Sequence, residues 1–267
     1  MSPGAPGAFR GPRKPAHAAS AIRPNQVPRR GRPARAPRKV TRGEAAIASR
    51  DDTLAHTLAH IEQYAVEDAT LSSARETGQR AESSPISASG GAALRFLAAS
   101  IGARAVVEVG TGCGSSGIWL LRGMRGESVL TSVDIEPEYQ ELARAAYRRA
   151  GFPANRVRLI LGRGLHVLPR LTDGAYDMVF VDAEPASYPA YLAEALRLLR
   201  VGGIVVFNNA LEAATSSDGP LSAPDAGTAA VREVARLVRD DEQLIPLLLP
   251  IGEGLLAAIR EEAPADS

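Results

Sequence analysis

Residues 105–121, AVVEVGTGCGSSGIWLL, constrain the fold more than any other stretch. Four of the five residues from Ala105 to Val109 are apolar, and they run into Gly110, Gly112, Gly114 and Gly117, with an apolar segment beginning at Ile118. This pattern predicts a buried strand, a tight glycine turn and the start of a helix. Glycines there let the backbone approach a ligand closely, and a helix start offers N–H groups with no partner in the helix. Glu108 sits near the strand end, where a buried carboxylate is costly unless donors or a cation meet it.

After this turn, apolar runs alternate with helical patterns. Strands are expected at 129–133, 157–161, 176–181 and 203–207, and helices at 137–150, 164–171, 188–200 and 228–239. Pro137 suits a first helical turn, and Gly151 a helix stop. Residues 244–249 and 254–259 are expected to pair as a terminal hairpin. Before the turn, 51–77 reads as one or two helices opening at Asp51-Asp52-Thr53, with Leu54, Leu58, Ile61 and Ala65 at helical spacing. A polar loop is expected over 82–89, then a helix over 92–101 with Leu94, Leu97 and Ala98 facing inward. Strand–helix alternation of this kind predicts an α/β fold with a doubly wound, mostly parallel sheet and N-terminal helices. Ligands then belong at the carboxyl ends of the strands, where the polar signals fall: Glu108 with the glycines, Asp134, Asp182 and Asn208-Asn209.

Two glycine frames overlap. Gly112-x-Gly114-x-x-Gly117 has the spacing of a dinucleotide-binding loop. The frame Glu108-x-Gly110-x-Gly112-x-Gly114 instead resembles the first motif of S-adenosylmethionine-dependent methyltransferases. The second frame fits better, because the first glycine of the other comes three residues after Val109, late for a turn that closes the strand. With VVEVGTGCGSSGIWL stand LTSVDIEPEYQELARAAYRRAG, YDMVFVDAEPASY, RLLRVGGIVVFNNAL and LLLPIGEGLLAAIRE. Together they resemble the bacterial O-methyltransferases related to catechol and caffeoyl-CoA O-methyltransferases, from about Thr53 to Arg260. The resemblance implies a class I methyltransferase, Rossmann-like sheet of seven strands, one of them antiparallel near the end.

The resemblance also implies a cofactor site for S-adenosylmethionine. Glu108, Gly110, Gly112 and Gly114 correspond to its first motif, and Asp134 to the acid that accepts the ribose hydroxyls. Ile86 corresponds to a residue near the methionine part, and Ser116 is placed to bond the carboxylate end. Gly162 and Arg163 fall in the segment flanking adenine, and Asp182 lies close to the methyl donor. Cys113 reads as a small residue filling the turn.

In metal-dependent members of that family, an Asp on the fourth strand and an Asp-Asn pair after the fifth bind a divalent cation, and a lysine serves as base. Here Asp182 is present, the pair is Asn208-Asn209, the lysine position is Pro185, and Glu212 stands where a Trp is usual. Asn oxygens can ligate a hard cation such as magnesium, but losing an anionic ligand weakens a Asp182, Asn208 and Asn209 metal site. The expectation is therefore an O-methyltransferase acting on a small-molecule hydroxyl, with weakened or absent metal dependence. Asp182, Glu184, Glu212 or the substrate itself would then take the proton. A protein that binds S-adenosylmethionine with slow or no turnover, as a sensor or a degenerate paralogue, is the alternative, and a nicotinamide-dependent oxidoreductase fits the glycine frame poorly.

Charge divides the chain. Residues 1–43 carry eleven basic residues and no acid, while the rest holds 20 basic and 30 acidic residues. The first segment, rich in Pro and Arg, reads as a disordered tail, and 44–267 as the methyltransferase domain. The tail's charge suits nucleic acid, but Phe9 alone could stack on a base, so a solvated arm, or a consequence of start-site choice, is expected rather than a nucleic-acid partner. Both lysines, Lys14 and Lys39, lie there, and arginine with abundant alanine elsewhere suggests a GC-rich bacterial genome. One cysteine excludes a disulfide framework. No run nears the roughly 18 apolar residues of a membrane span, and no signal-peptide core is present, so a cytoplasmic protein is expected. His56 and His60 are spaced for a metal but have no third ligand, and read as surface residues. A homodimer is expected from the resemblance.

Overall fold

The computed structural model describes residues 42–211 and 225–262, with side chains from Thr53 onward. The expected disorder of 1–43 and the positions 212–224, Glu212 included, lie outside the described residues. Contacts divide the chain into Met1–Ala45 and Ala46–Ser267, and everything below concerns the second unit. It holds α1 (Arg42–Tyr64) from Ala46 onward, then α2 (Ala69–Arg80) and α3 (Ala88–Ser100). Then follow β1 (Ala105–Val109), α4 (Ser115–Gly123), β2 (Val129–Asp134), α5 (Pro137–Arg149), β3 (Val157–Leu161), α6 (Gly164–Val167), β4 (Tyr176–Val181), α7 (Tyr188–Leu198) and β5 (Leu199–Phe207). The remaining helix, α8, is Ala226–Asp240, and the chain returns through β6 (Leu244–Leu249) and β7 (Leu255–Arg260).

The seven strands stand in the order β3-β2-β1-β4-β5-β7-β6. The first five are parallel, and β7 runs antiparallel between β5 and β6. This is the doubly wound sheet expected above. Alternation along each strand feeds two cores. Val106, Met178, Phe180 and Val206 face Leu94, Ile118 and Leu120 on one side. Val107, Val179, Val181 and Phe207 face Tyr188, Leu192 and Val234 on the other. Burial on both faces is why the strands read as nearly continuous apolar runs. The chain order reverses between β1 and β4, so their carboxyl ends open a crevice.

The boundaries differ from expectation where tertiary contacts decide. Helix α1 runs through Asp51-Asp52-Thr53, which therefore start no helix. Leu54 and Leu58 of the apolar stripe are 59% and 44% exposed, while Ile61 and Ala65 are half-buried. Helix α3 starts at Ala88, ahead of the expected Ala92. Ser87 Oγ accepts from Gly90 N, and the Glu62 carboxylate accepts from Ala88 N and Ser89 N. The pair Gly90-Gly91 looks like a breaker, yet a Cβ on Gly91 would stand 2.2 Å from the Trp119 ring. Strand β5 starts at Leu199, ahead of Gly203, because Leu199 pairs with Tyr176 before a register shift.

Gly117, last of the dinucleotide-like frame, serves packing. A Cβ there would stand 2.2 Å from the Tyr147 hydroxyl on α5. Gly117→Ala should lower stability by ~1–3 kcal/mol, as overpacked cores do, read as a lower urea midpoint with unchanged slope. Gly126→Ala, where nothing lies within 4 Å, should leave the midpoint in place. Equal midpoints for both would refute the packing role of Gly117.

Candidate active site

The parallel ladder extends one residue past each strand end. Gly110 N donates to Val133 O, Gly162 N to Asp134 O, Asp182 N to Val109 O and Asn208 N to Val181 O, at 2.8–3.0 Å. Gly162, Asp134, Gly110, Asp182 and Asn208 thus form one row across β3, β2, β1, β4 and β5. Neighbours in this row stand 24 to 72 positions apart in the sequence. Gly110 is at φ +98°, and a Cβ on it would lie 1.9 Å from Asp182 O. Only glycine lets β1 turn this close to β4.

Glu108 is fully buried beneath the turn. Its Oε1 accepts from Ser116 Oγ and its Oε2 from Ser132 Oγ, both at 2.6 Å. Ser132 Oγ also bonds Thr111 Oγ1 at 2.7 Å. Burial pushes the Glu108 carboxyl up to about 8, against the pull of the two serine hydroxyls and with a smaller push from Asp182 and Asp134. Asp134 binds the loop from the other side. Its Oδ2 accepts from Gly112 N and its Oδ1 from Glu136 N, both at 2.9 Å. Glu136, not Asp134, is the N-cap of α5.

Above this frame lies a cavity of about 540 Å3. Ile86, Gly110, Gly112 and Ser116 line it, as do Asp134, Gly162 and Arg163. On its β4 side it is lined by Asp182 and Glu184, and it reaches Asn209. Glu108, Gly114 and Asn208 do not line it. Glu108 supports the floor, and Gly114 is the left-handed N-cap of α4 at φ +89°. Ser116 reaches the wall, but its hydroxyl is committed to Glu108.

Several wall residues escaped the sequence reading. Ser115 Oγ is buried without a partner, at the first turn of α4, whose N-cap supplies no side-chain bond. Those unpaired groups suit a carboxylate. Ser83, Ser84 and Pro85 close the cavity over Gly112, with Ser84 at φ +46°. Tyr139 reaches it from α5, its hydroxyl donating to Ala81 O at 3.0 Å. Only the helical phase of Tyr139 could have marked it. Ser83–Pro85 carry no signal beyond turn composition.

At the β4–β5 end, Asn208 Nδ2 donates to Asp182 Oδ1 at 3.1 Å. Asn208 is 4% exposed, and its backbone oxygen accepts from the Tyr188 hydroxyl. Asn209 takes φ +57°, a conformation Asn tolerates, and so turns to the cavity while Asn208 turns to Asp182. The donor set is one carboxylate with an amide N–H directed at it, an arrangement that satisfies itself. It does not fit a divalent cation, which needs lone pairs there. Burial pushes Asp182 up to about 6, against the Asn208 bond and with a further push from the charge of Glu253. His56 and His60 are exposed on α1, and among the described residues no three His, Cys, Asp or Glu side chains group to hold a metal. No described helix is long and apolar enough to cross a membrane. Cys113 is free and buried.

A glycine turn after β1, an acid ending β2 and a doubly wound sheet with β7 reversed define a class I methyltransferase, Rossmann-like fold. The chain belongs to the O-methyltransferase family, whose model matches residues 61–261. A Mycobacterium leprae protein carrying an O-methyltransferase name is 49% identical over 218 residues, 82% of this chain and 95% of that protein. Among solved structures, one of a Corynebacterium glutamicum protein is 29% identical with a TM-score of 0.73, covering 80% of this chain and all of that one. The O-methyltransferase TomG from Streptomyces achromogenes, involved in tomaymycin synthesis and solved in complex with SAM, is 32% identical with a TM-score of 0.66, covering 74% and 92%. Family membership decides for a methyltransferase over the oxidoreductase reading, and nothing in these similarities supports the sensor alternative.

Glu108 supplies a test of the floor. A carboxyl raised from 4.5 to about 8 by folding favours the native state below pH 4.5 and loses that contribution as pH rises to 8, because the native state binds the extra proton. Relative to Glu108→Gln, the wild type should lose up to ~1.4 kcal/mol per pH unit within that window, read from urea midpoints. Parallel pH profiles for the two proteins would show that Glu108 titrates normally.

Proposed function

We propose that this O-methyltransferase, whose methyl donor is S-adenosylmethionine, modifies a hydroxyl of a small molecule without help from a divalent cation. When bound, the donor supplies an electrophilic methyl on a positive sulfonium. Asp134 is placed to accept the two ribose hydroxyls, since it keeps lone pairs beyond its two backbone bonds. Ser115 and the first turn of α4 are assigned the carboxylate, Ile86 the methionine stem, and Gly162 and Arg163 the edge of the adenine. Gly110 and Gly112 leave the room that this contact needs.

The observation that carries the cation-free reading is the Asn208–Asp182 bond. With Oδ1 holding the amide, Oδ2 of Asp182 is assigned to accept the proton of the acceptor hydroxyl as the new carbon–oxygen bond forms. Glu184, exposed at the rim of the same cavity, is assigned to pass that proton to water. Holding the acceptor in line with the methyl supplies much of the remaining rate, an effect worth roughly 7–11 kcal/mol when orientation is good. Pairing of two copies through the exposed stripe of α1 agrees with Leu54 and Leu58 standing uncovered. The unpaired Cys113 suits a reducing compartment such as the cytoplasm.

Methyl transfer should proceed within twofold of its normal rate in excess chelator, with acceptors that lack vicinal hydroxyls. A tenfold loss restored by magnesium would overturn the cation-free reading. Asn208→Asp should make thermal stability respond to magnesium, because it sets a second carboxylate against Asp182. A variant as indifferent to magnesium as the wild type would show that the amide is not what excludes the cation. Asp182→Asn should lower kcat by ~100-fold, the range for losing a general base, with KM for S-adenosylmethionine little changed. A kcat within threefold of wild type would remove Asp182 from the proton path.

A further inference from the structure

The segment that closes the cavity over Gly112 hangs between two fixed helix ends. Ala81 caps the end of α2, and Ser87 is the N-cap of α3. Of the residues between, Ser83, Ser84, Pro85 and Ile86 line the cavity, and Ile86 is 2% exposed.

The segment makes two left-handed turns. Glu82, at φ +57°, is the first. It follows from the way α2 ends, with Ser83 N donating to Gly78 O at 3.0 Å and Glu82 N to Gln79 O at 3.2 Å. Ser84, at φ +46°, is the second. Serine is not among the residues that take this conformation readily, which are glycine and, after it, asparagine. Among the described residues no backbone bond holds Ser84 in its turn. The segment is instead fastened from the elements it faces. The Tyr139 hydroxyl on α5 donates to Ala81 O at 3.0 Å, and Ser83 Oγ donates to Cys113 Sγ at 3.6 Å. Sulfur is a weak acceptor, so the Tyr139 bond is the stronger fastening. A Cβ on Gly112 would stand 3.5 Å from Ser83 Oγ, so the segment rests on the glycine loop. A strained turn favours opening and one hydrogen bond opposes it, which makes the closure reversible.

We propose that Tyr139 is a positioning residue whose hydroxyl latches residues 82–85 over the methionine end of the cavity, and that this clasp opens for S-adenosylmethionine to enter and for S-adenosylhomocysteine to leave. The inference rests on the assignment of this cavity to the donor. The latch and the strained turn set how often the cavity opens, and opening of this kind governs ligand exchange in many enzymes.

The test follows radiolabelled S-adenosylhomocysteine onto and off the full chain by rapid filtration, with uptake and release read separately. In Tyr139→Phe both rates should rise about fivefold, the effect of one lost hydrogen bond. In Ser84→Asn both should fall about threefold, because asparagine tolerates the left-handed turn that serine resists. Asparagine is chosen over glycine so that the open segment gains no extra freedom. A residue that only touched the ligand would change release and leave uptake in place, and a packing defect would weaken binding in both variants. Unchanged uptake in Tyr139→Phe, or rates that move in the same direction in both variants, would overturn the clasp while wild-type binding upholds the donor site. No binding of S-adenosylhomocysteine by the wild type would overturn the donor assignment and the clasp together, so the two failures are distinguishable.

Discussion

Among the described residues Glu108 is the one charged side-chain type buried in the sheet, and the cofactor loop depends on it. Moving a carboxylate into a protein interior costs several kcal/mol unless it is neutralised or fully bonded. Glu108 is both. Its proton is retained near neutral pH, and its partners come from three elements: Ser116 on α4, Ser132 on β2 and, through Ser132, Thr111 in the loop. A neutral carboxyl can donate one of these bonds and accept the other, with the serine and threonine hydroxyls reorienting to match. The three elements that frame the cofactor are thus fastened at one buried point. The neutral form also matters to the neighbours. Asp134 and Asp182 flank Gly110 in the strand-end row, and a third negative charge between and beneath them would repel both.

That row shows how a fold converts sequence into a site. Gly110, Asp134, Gly162, Asp182 and Asn208 are scattered along the chain, yet Asp134 is the last residue of its parallel strand and the others each the first beyond theirs, and the ladder holds them in line. Their legibility followed from this. An apolar run that ends in a glycine or an acid is visible without any structure, and so was the terminal hairpin, whose reversed strand completes the sheet.

What escaped the sequence depends on distant packing. Gly90-Gly91 reads as a loop because intrinsic propensity disfavours helix there, but the Trp119 ring occupies the space a Cβ would need, and the Glu62 cap comes from another helix. Asn208 and Asn209 look equivalent as neighbours. The left-handed backbone of Asn209 sends one to the cavity and the other to Asp182. Ser83–Pro85 lie far in sequence from the glycine loop they cover, and nothing local distinguishes them from an ordinary turn. The stripe of α1 has helical spacing, yet Leu54 and Leu58 stand exposed while Ile61 and Ala65 are half-buried, so periodicity revealed the helix and not what it faces.

The amide at position 208 has consequences beyond its own bond. A carboxylate there would stand against Asp182, and two such groups can share a site only with a cation or a shared proton between them. The amide removes that requirement and supplies a donor, so Asp182 is held in place by the protein alone. Burial and the charge of Glu253 both push Asp182 toward its protonated form. On the proposed assignment, the sulfonium of the bound donor opposes that push with a positive charge beside Asp182, and the charge is lost when the methyl departs, so the carboxylate is favoured while the methyl is still to be transferred.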